Sequence, residues 1–334
     1  MKFSVCLPTG FEGVMHPIPF VAPEDFVRLG QACERLGYDS AWGNDHVTTQ
    51  NYVRDLFPGK PPSFYEPLIT LGAVAAATTR LRVGTALLVL PMREPVYLAK
   101  QVATLDQLTG GRFILGVGLG AYREEFEAQA PRLARARRGA IMDEGLEALH
   151  RLLTEDRASF DGEFYAFRGV EMFPKPRQTP FPLFVGGHNM AAVDRAARWG
   201  QGWLPGWRPH GELAERIVAL RDRAAALGRD PAAIEIAPQF SVTIARSLEE
   251  AETRYLRSGL VAHRRSLAYT GRDLGQQTTA NLVGSPDVIV EKVSRLAGIG
   301  VQHCCALMFP ADTVDEMLEQ VQWFAEDVMA RMRP

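Results

Sequence analysis

One feature constrains this chain more than any other: short apolar runs alternate with segments of helical periodicity, eight times over. Lys2–Pro8 (KFSVCLP) is a predicted strand. Pro23–Gly37 follows as a predicted helix, with Phe26, Leu29, Ala32, Cys33 and Leu36 on one face and Gly37 at its end. The same rhythm gives predicted strands at Asp39–Trp42, Leu81–Leu90, Arg112–Val117, Pro182–Val185, Gln201–Leu204, Ile234–Ile244 and Val301–Phe309. Helices are predicted between and after them, at Glu66–Thr79, Pro95–Thr109, Ala136–Leu153, Met190–Trp199, Glu212–Leu227, Leu248–Arg257, Pro286–Ala297 and Thr313–Met332. The strands are continuous apolar runs rather than alternating ones, as a parallel sheet covered on both faces requires. Eight β-then-α units predict an α/β fold, a (β/α)8 TIM barrel with loop insertions at the C-terminal face of the strands. Neither an internal repeat nor an interdomain linker is visible, so residues 1–334 are expected to form a single domain.

Three stretches read as irregular: Thr48–Ser63, Phe160–Pro180 and His263–Ala280. The formal net charge of −2 gives no field that would favour nucleic acid or an anionic membrane. The basic run Arg132–Arg138 (RLARARR) reads as a solvated face. The four cysteines form no C-x-x-C pair, and adjacent Cys304 and Cys305 point to opposite faces of a strand. With no signal-peptide pattern and no apolar run near ~20 residues, the expectation is a reduced, cytoplasmic protein.

A barrel directs attention to the residues just beyond each strand. There stand Pro8-Thr9-Gly10, Trp42-Gly43-Asn44-Asp45-His46, Gly118-Leu119-Gly120, Gly186-Gly187-His188-Asn189-Met190, Trp203 to Trp207, and Met308-Phe309-Pro310. Gly186–Asn189, with a helix behind it, is a candidate phosphate cradle, because glycine admits close backbone approach and a helix N-terminus offers unpaired N–H groups. The bland alternative is a glycine-rich turn. His46 can exchange a proton near neutral pH, or serve only as structure; Asp45 beside it could cap a helix or loop. Trp42 could stack on a ligand or fill the barrel's top layer. The histidines have no metal-ligand spacing, and no G-x-S-x-G elbow occurs, so neither a metal site nor Ser-His-Asp chemistry is expected. Gly116-Val-Gly-Leu-Gly-Ala121 fits the relaxed dinucleotide fingerprint, but it follows the fourth strand, and the acids Asp143 and Glu144 fall in a helix. The nicotinamide reading therefore lacks its structural context.

Four stretches, RLGYDSAWGNDHV, TTRLRVGTALLVLPMREPVYLAKQVATLDQLTGGRFILGVGLGAYREEFEA, FPLFVGGHNMAAVDRAARWGQGWLP and GSPDVIVEKVSRLAGIGV, resemble the bacterial luciferase-like superfamily of flavin- and deazaflavin-dependent oxidoreductases. The resemblance implies a (β/α)8 barrel that binds reduced FMN or coenzyme F420 at its C-terminal mouth. It implies a non-proline cis peptide or bulge at Ala86–Leu87 behind the cofactor ring, with Leu7 also against the cofactor. Gly186, Gly187, His188, Asn189 and Met190 would hold the phosphate. Gly118, Leu119 and Gly120 would border the tail. His46 would lie near the reacting ring face and act catalytically on a proton.

Trp42, Phe64, Tyr65, Trp203 and Trp207 would shape the pocket of a small organic substrate. A homodimer and a separate flavin reductase partner are expected. Ala121 stands where sugar-phosphate dehydrogenase members carry a glutamate. Leu119 stands where luciferases carry an arginine, so an FMN phosphate would need Arg123 or Arg177. The expected activity is hydride transfer to, or monooxygenation of, the substrate. The alternatives are a non-catalytic flavin-binding protein or a nicotinamide-dependent barrel reductase.

Overall fold

The computed structural model describes residues 1–131, 133–266 and 274–332. Arg132 of the basic run and residues 267–273 of the third irregular stretch therefore lie outside the described residues. The strands are β1 (Lys2–Leu7), β2 (Ser40–Gly43), β3 (Arg82–Thr85), β4 (Leu88–Val89) and β5 (Phe113–Gly118), then β6 (Ala158–Asp161) and β7 (Ala166–Val170). They continue as β8 (Leu183–Gly186), β9 (Gly202–Leu204), β10 (Glu235–Ile236), β11 (Gln239–Ile244), β12 (Leu282–Gly284) and β13 (His303–Met308). The helices are α1 (Pro23–Leu36), α2 (Asn51–Leu56), α3 (Pro67–Ala76), α4 (Pro95–Leu108), α5 (Arg123–Gln129) and α6 (Arg138–Thr154). After them come α7 (Met190–Trp199), α8 (His210–Ala226), α9 (Leu248–Arg257), α10 (Gly259–Ser266), α11 (Pro286–Gly298) and α12 (Val314–Phe324).

The main sheet is parallel and curled. Its order is β10-β9-β8-β5-β3-β2-β1-β13-β11-β12, with β4 beside β5. The ladders thus do not form the unbroken eight-stranded ring that the sequence predicts; they end at β10 and β12. The predicted strand Ile234–Ile244 is split, because Pro238 has no N–H to give a ladder. Around the break, the Ala237 and Gln239 amides donate to the Trp203 and Pro205 carbonyls, each at 2.9 Å. On the other side, the Cys305 amide donates to the Pro238 carbonyl at 2.9 Å.

Three other expectations are corrected. The loop Thr48–Ser63 contains the short helix α2. The irregular stretch Phe160–Pro180 contains most of an antiparallel hairpin, β6 with β7. The third stretch begins inside α10.

Strand side chains alternate between two apolar layers, as a period of two demands. Val5, Leu7, Val83, Phe113, Leu115 and Val185 join Leu29, Val74 and Val102 in the layer between sheet and helices. Cys6, Trp42, Ala86, Ile114, Phe184 and Leu204 form a second cluster on the opposite face. Both layers are dry, so the strands read as unbroken apolar runs. The four cysteines are buried and unpaired. Burial pushes the Cys6, Cys33 and Cys304 thiols up to about 12. Thiolates, the reactive form, are correspondingly disfavoured.

Candidate active site

Two buried polar side chains brace the loops beyond β1 and β2. Asn44 accepts the Gly10 amide and the Thr9 hydroxyl, each at 2.9 Å, and returns a bond to the Gly10 carbonyl. Asp45 accepts the Val89 amide at 2.9 Å and pairs with Arg93 at 2.7 Å. Asp45 therefore ties the loop after β2 to the segment after β3, the loop-capping role open to it in the sequence. Between them the chain runs through a cis peptide at Ala86–Leu87, where the sequence comparison of motifs predicts one.

The Leu87 side chain fills space that two glycines leave open. A Cβ on Gly186 would meet Leu87 Cδ1 at 2.2 Å, and one on Gly118 would meet the same atom at 2.7 Å. A Cβ on Gly116 would strike the Thr85 carbonyl oxygen at 2.0 Å. The alternating glycines of Gly116–Gly120 thus admit neighbouring strands and side chains at close range; they are not a dinucleotide turn. Gly187 takes a φ of +108°, open to glycine and strained for other residues. It lets the loop turn into α7, where Asn189 caps the helix through the Ala192 amide at 2.9 Å. The remaining first-turn amides are left for another acceptor, the ordinary condition of a helix start.

These loops surround a cavity of about 520 Å³ at the C-terminal ends of the strands. It is lined by His46, Ala86, Leu87, Gly118, Leu119, Gly120, Gly186, Gly187, His188, Asn189 and Trp207. Phe11, Glu125, Leu260, His263, Arg264 and Met308 complete much of the wall. The volume falls within the usual range for a small-molecule site, ~300–1,000 Å³.

Several expected residues lie elsewhere. Leu7 belongs to the helix-facing layer, since its odd position in β1 points it away from the cavity. Trp203 sits in that layer as well, and its indole N–H donates to the Gly187 carbonyl at 2.9 Å. It supports the glycine loop from behind. Trp42 is wholly buried; its ring occupies the space beside Gly84, its N–H donates to Ser40, and Phe184 packs on it. Tyr65 packs edge-on against Phe26. Met190 is exposed at the start of α7. Phe64 is not part of the wall but stands behind it, its ring centroid 5.4 Å from that of His46. Arg177 flanks Gly111, at the opposite end of β5 from the cavity. Arg123 is exposed and paired with Glu127. Neither arginine lines the cavity.

His46 is partly buried, and its Nδ1 faces the Glu125 carboxylate at 3.1 Å and 3.3 Å. Its other nitrogen, Nε2, has no hydrogen-bond partner among the described residues. Nothing local in REEFE marks Glu125; it is the acid of α5 that turns inward together with Phe126, while Glu124 and Glu127 face outward. Sequence reasoning also missed the tyrosine cluster beyond it. The Tyr52 and Tyr122 hydroxyls both approach His263 Nδ1, at 2.9 Å and 3.1 Å. This links α2, the start of α5 and α10 across one side of the cavity. Burial raises the Tyr52 hydroxyl well above its ordinary value, so it stays protonated and able to donate.

The parallel sheet thus carries at its C-terminal edge a glycine-walled cavity, with a cis peptide and a histidine in the wall. The chain belongs to the luciferase-like monooxygenase family, whose family model matches residues 1–303. It is 30% identical over 335 residues to the FMNH(2)-dependent dimethylsulfone monooxygenase of Pseudomonas putida, covering 92% of this chain and 87% of that one. It is 26% identical over 328 residues to the F420-dependent glucose-6-phosphate dehydrogenase of Nakamurella multipartita, covering 93% of each. The crystal structure of a monooxygenase from Streptomyces bottropensis matches with a TM-score of 0.79 at 25% identity, covering 100% of both chains. Among the described residues, no helix is long and apolar enough to cross a membrane, and no cluster of His, Cys, Asp and Glu could hold a metal.

Proposed function

We propose that this chain binds a reduced flavin-type cofactor, FMN or coenzyme F420, in the cavity above Ala86–Leu87 and uses it on a small organic substrate. The observation that carries this reading is convergence. His46, the Ala86–Leu87 peptide, Gly118–Gly120 and Gly186–Asn189 come from four separate loops and line one cavity. The residues fit such a group: a wall kept flat by Leu87 and its glycines, and a helix N-terminus with first-turn amides for an anionic tail. The bound cofactor would supply the hydride or, with dioxygen, the oxidising equivalent.

The protein's own residues do the rest. Leu87, Ala86 and Leu119 give the ring an apolar bed. Gly187, His188 and Asn189 receive the tail. His46 exchanges a proton with the substrate through Nε2. Trp207, Phe11 and Met308 exclude water from the reacting face. The strand segment Glu235–Ile244, bonded to β9 on one side of Pro238 and to β13 on the other, supports completion of the curl into an eight-stranded barrel. We read residues 1–334 as one such domain that acts as a homodimer in the cytoplasm, with reduced FMN delivered by a separate reductase if FMN is the cofactor.

The test is turnover in two assays, one with reduced FMN and dioxygen, one with reduced F420 under anaerobic conditions. Small sulfones, ketones and alcohols serve as substrates. The proposal expects substrate-dependent consumption of one reduced cofactor. A protein that consumes NADPH with no flavin present, or binds cofactor without turnover of any substrate, contradicts it.

A further inference from the structure

We infer that Glu125 is the positioning residue of the site: it fixes the tautomer and the orientation of the His46 ring. The inference rests on the reading of His46 as the group that exchanges the substrate proton.

Glu125 is 1% exposed, on a helix of seven residues whose other acids face solvent. A buried carboxylate is costly unless it is paired or hydrogen-bonded. Arginine and lysine are absent from its ion pairs among the described residues; His46 is the partner. Glu125 Oε1 also accepts the Val47 amide at 3.2 Å, which pins the carboxylate to the same loop that carries the histidine. Gln50, buried as well, brings its side-chain amide to 2.8 Å from the same Nδ1. An ionised carboxylate accepts and never donates. The proton on the shared edge therefore belongs to Nδ1 of His46. Turning the Gln50 amide over places its carbonyl oxygen, otherwise without a partner, on that same N–H. Nε2 of His46, a residue of the cavity wall, is left without a hydrogen-bond partner among the described residues.

The consequence is that proton traffic runs through one atom. When a substrate receives a hydride, the atom left with the electron pair takes its proton from Nε2 of the imidazolium; when a substrate O–H or C–H bond breaks instead, the proton goes to Nε2 and the electron pair of that bond stays on the substrate atom. In both cases Nδ1–H remains on Glu125. The imidazolium stands beside a fixed negative charge, and Glu125 itself stays ionised. The same division of labour between an orienting carboxylate and a histidine operates in hydrolytic triads. The other charged and titratable groups around the ring are Asp45 with Arg93, Glu124 at the Asn51 amide, Tyr122, and His263 beyond it.

Nitrogen NMR of the cofactor-free protein, labelled at histidine, tests the inference. The native chain should show His46 as the Nδ1–H tautomer. In Glu125→Gln, the side-chain oxygen stays on the Val47 amide and the NH2 faces Nδ1, so the tautomer should invert to Nε2–H. Glu125→Asp, which keeps the charge, should restore the native tautomer in part. Far-UV circular dichroism and the thermal unfolding midpoint should match the native chain in both variants, which shows that the fold is intact. A native tautomer in folded Glu125→Gln overturns the inference. If the tautomer inverts while His46→Asn turns over substrate at the native rate, the positioning role stands and the catalytic reading of His46 falls.

Discussion

Among the described residues, two histidine–carboxylate pairs stand at opposite ends of the same sheet. His303 opens β13; its Nδ1 meets Glu235 at 2.9 Å and its Nε2 meets the Ser4 hydroxyl at 2.9 Å. Lys2 completes that cluster with an ion pair to Glu235 at 2.7 Å. His46 stands beyond β2 in the cavity wall, its Nδ1 on Glu125 and its Nε2 without a partner among the described residues. The chemistry of the pair is the same in both places. What differs is the second nitrogen. At the N-terminal edge both ring atoms are committed to the protein, so the pair holds strands together. At the C-terminal edge one atom is kept back for something else, in keeping with the division of labour between the two faces of such folds.

The comparison breaks if the two histidines respond alike to removal. His46→Asn should lower turnover at least 100-fold, within the ~10²–10⁴ range of general acid–base catalysis. Its unfolding free energy should stay within about 1 kcal/mol of native, by denaturant titration. Glu235→Ala should do the reverse. It leaves His303 and Lys2 without their carboxylate, at a cost of about 3 kcal/mol for a broken buried pair, with cofactor affinity unchanged.

Acid should separate the pairs next. Burial alone would raise the Glu235 carboxyl, but the hydrogen bond and charge of His303, then those of Lys2, hold it down at about 2. Its ordinary value is 4.5. A carboxyl depressed in the folded state adds stability above its ordinary value and loses it as the pH falls toward the folded one. On the order of 3 kcal/mol should therefore disappear between about pH 4.5 and pH 2. In Glu235→Gln, the acid unfolding curve should flatten over that window. A smaller effect is expected in the wall. Gly186→Ala should push Leu87 into the cavity and weaken FMN or F420 binding about tenfold, read by fluorescence titration. Arg177→Ala, at the far end of β5, should change that affinity by less than twofold.

How much of this was legible in the sequence depends on whether the signal was local. The strand and helix rhythm was, because it is written in contiguous residues; the cis peptide or bulge expected at Ala86–Leu87 came only from the family resemblance. The glycine loop Gly186–Asn189 was legible in contiguous residues as well. The tryptophans show the limit. Trp42 and Trp203 lie inside strands and are buried in the two layers, whereas Trp207 lies three residues past β9 and reaches the cavity. Distance past the strand end, and not ring type, separates them. Glu125 was invisible because its partner is 79 residues away and its neighbours are also acidic. The strand β12, only three residues long, is too short to carry a period. The break at Pro238 could have been read from proline's missing donor alone.

The most direct measurement is a titration of the purified chain with FMN and with coenzyme F420, each oxidised and reduced, followed by absorbance and fluorescence. The account predicts that at least one reduced cofactor binds more tightly than ~100 μM, about −5.5 kcal/mol, and that Gly186→Ala weakens the same cofactor. If neither binds within that limit in either redox state, the cavity does not hold a flavin-type cofactor and the central claim is wrong.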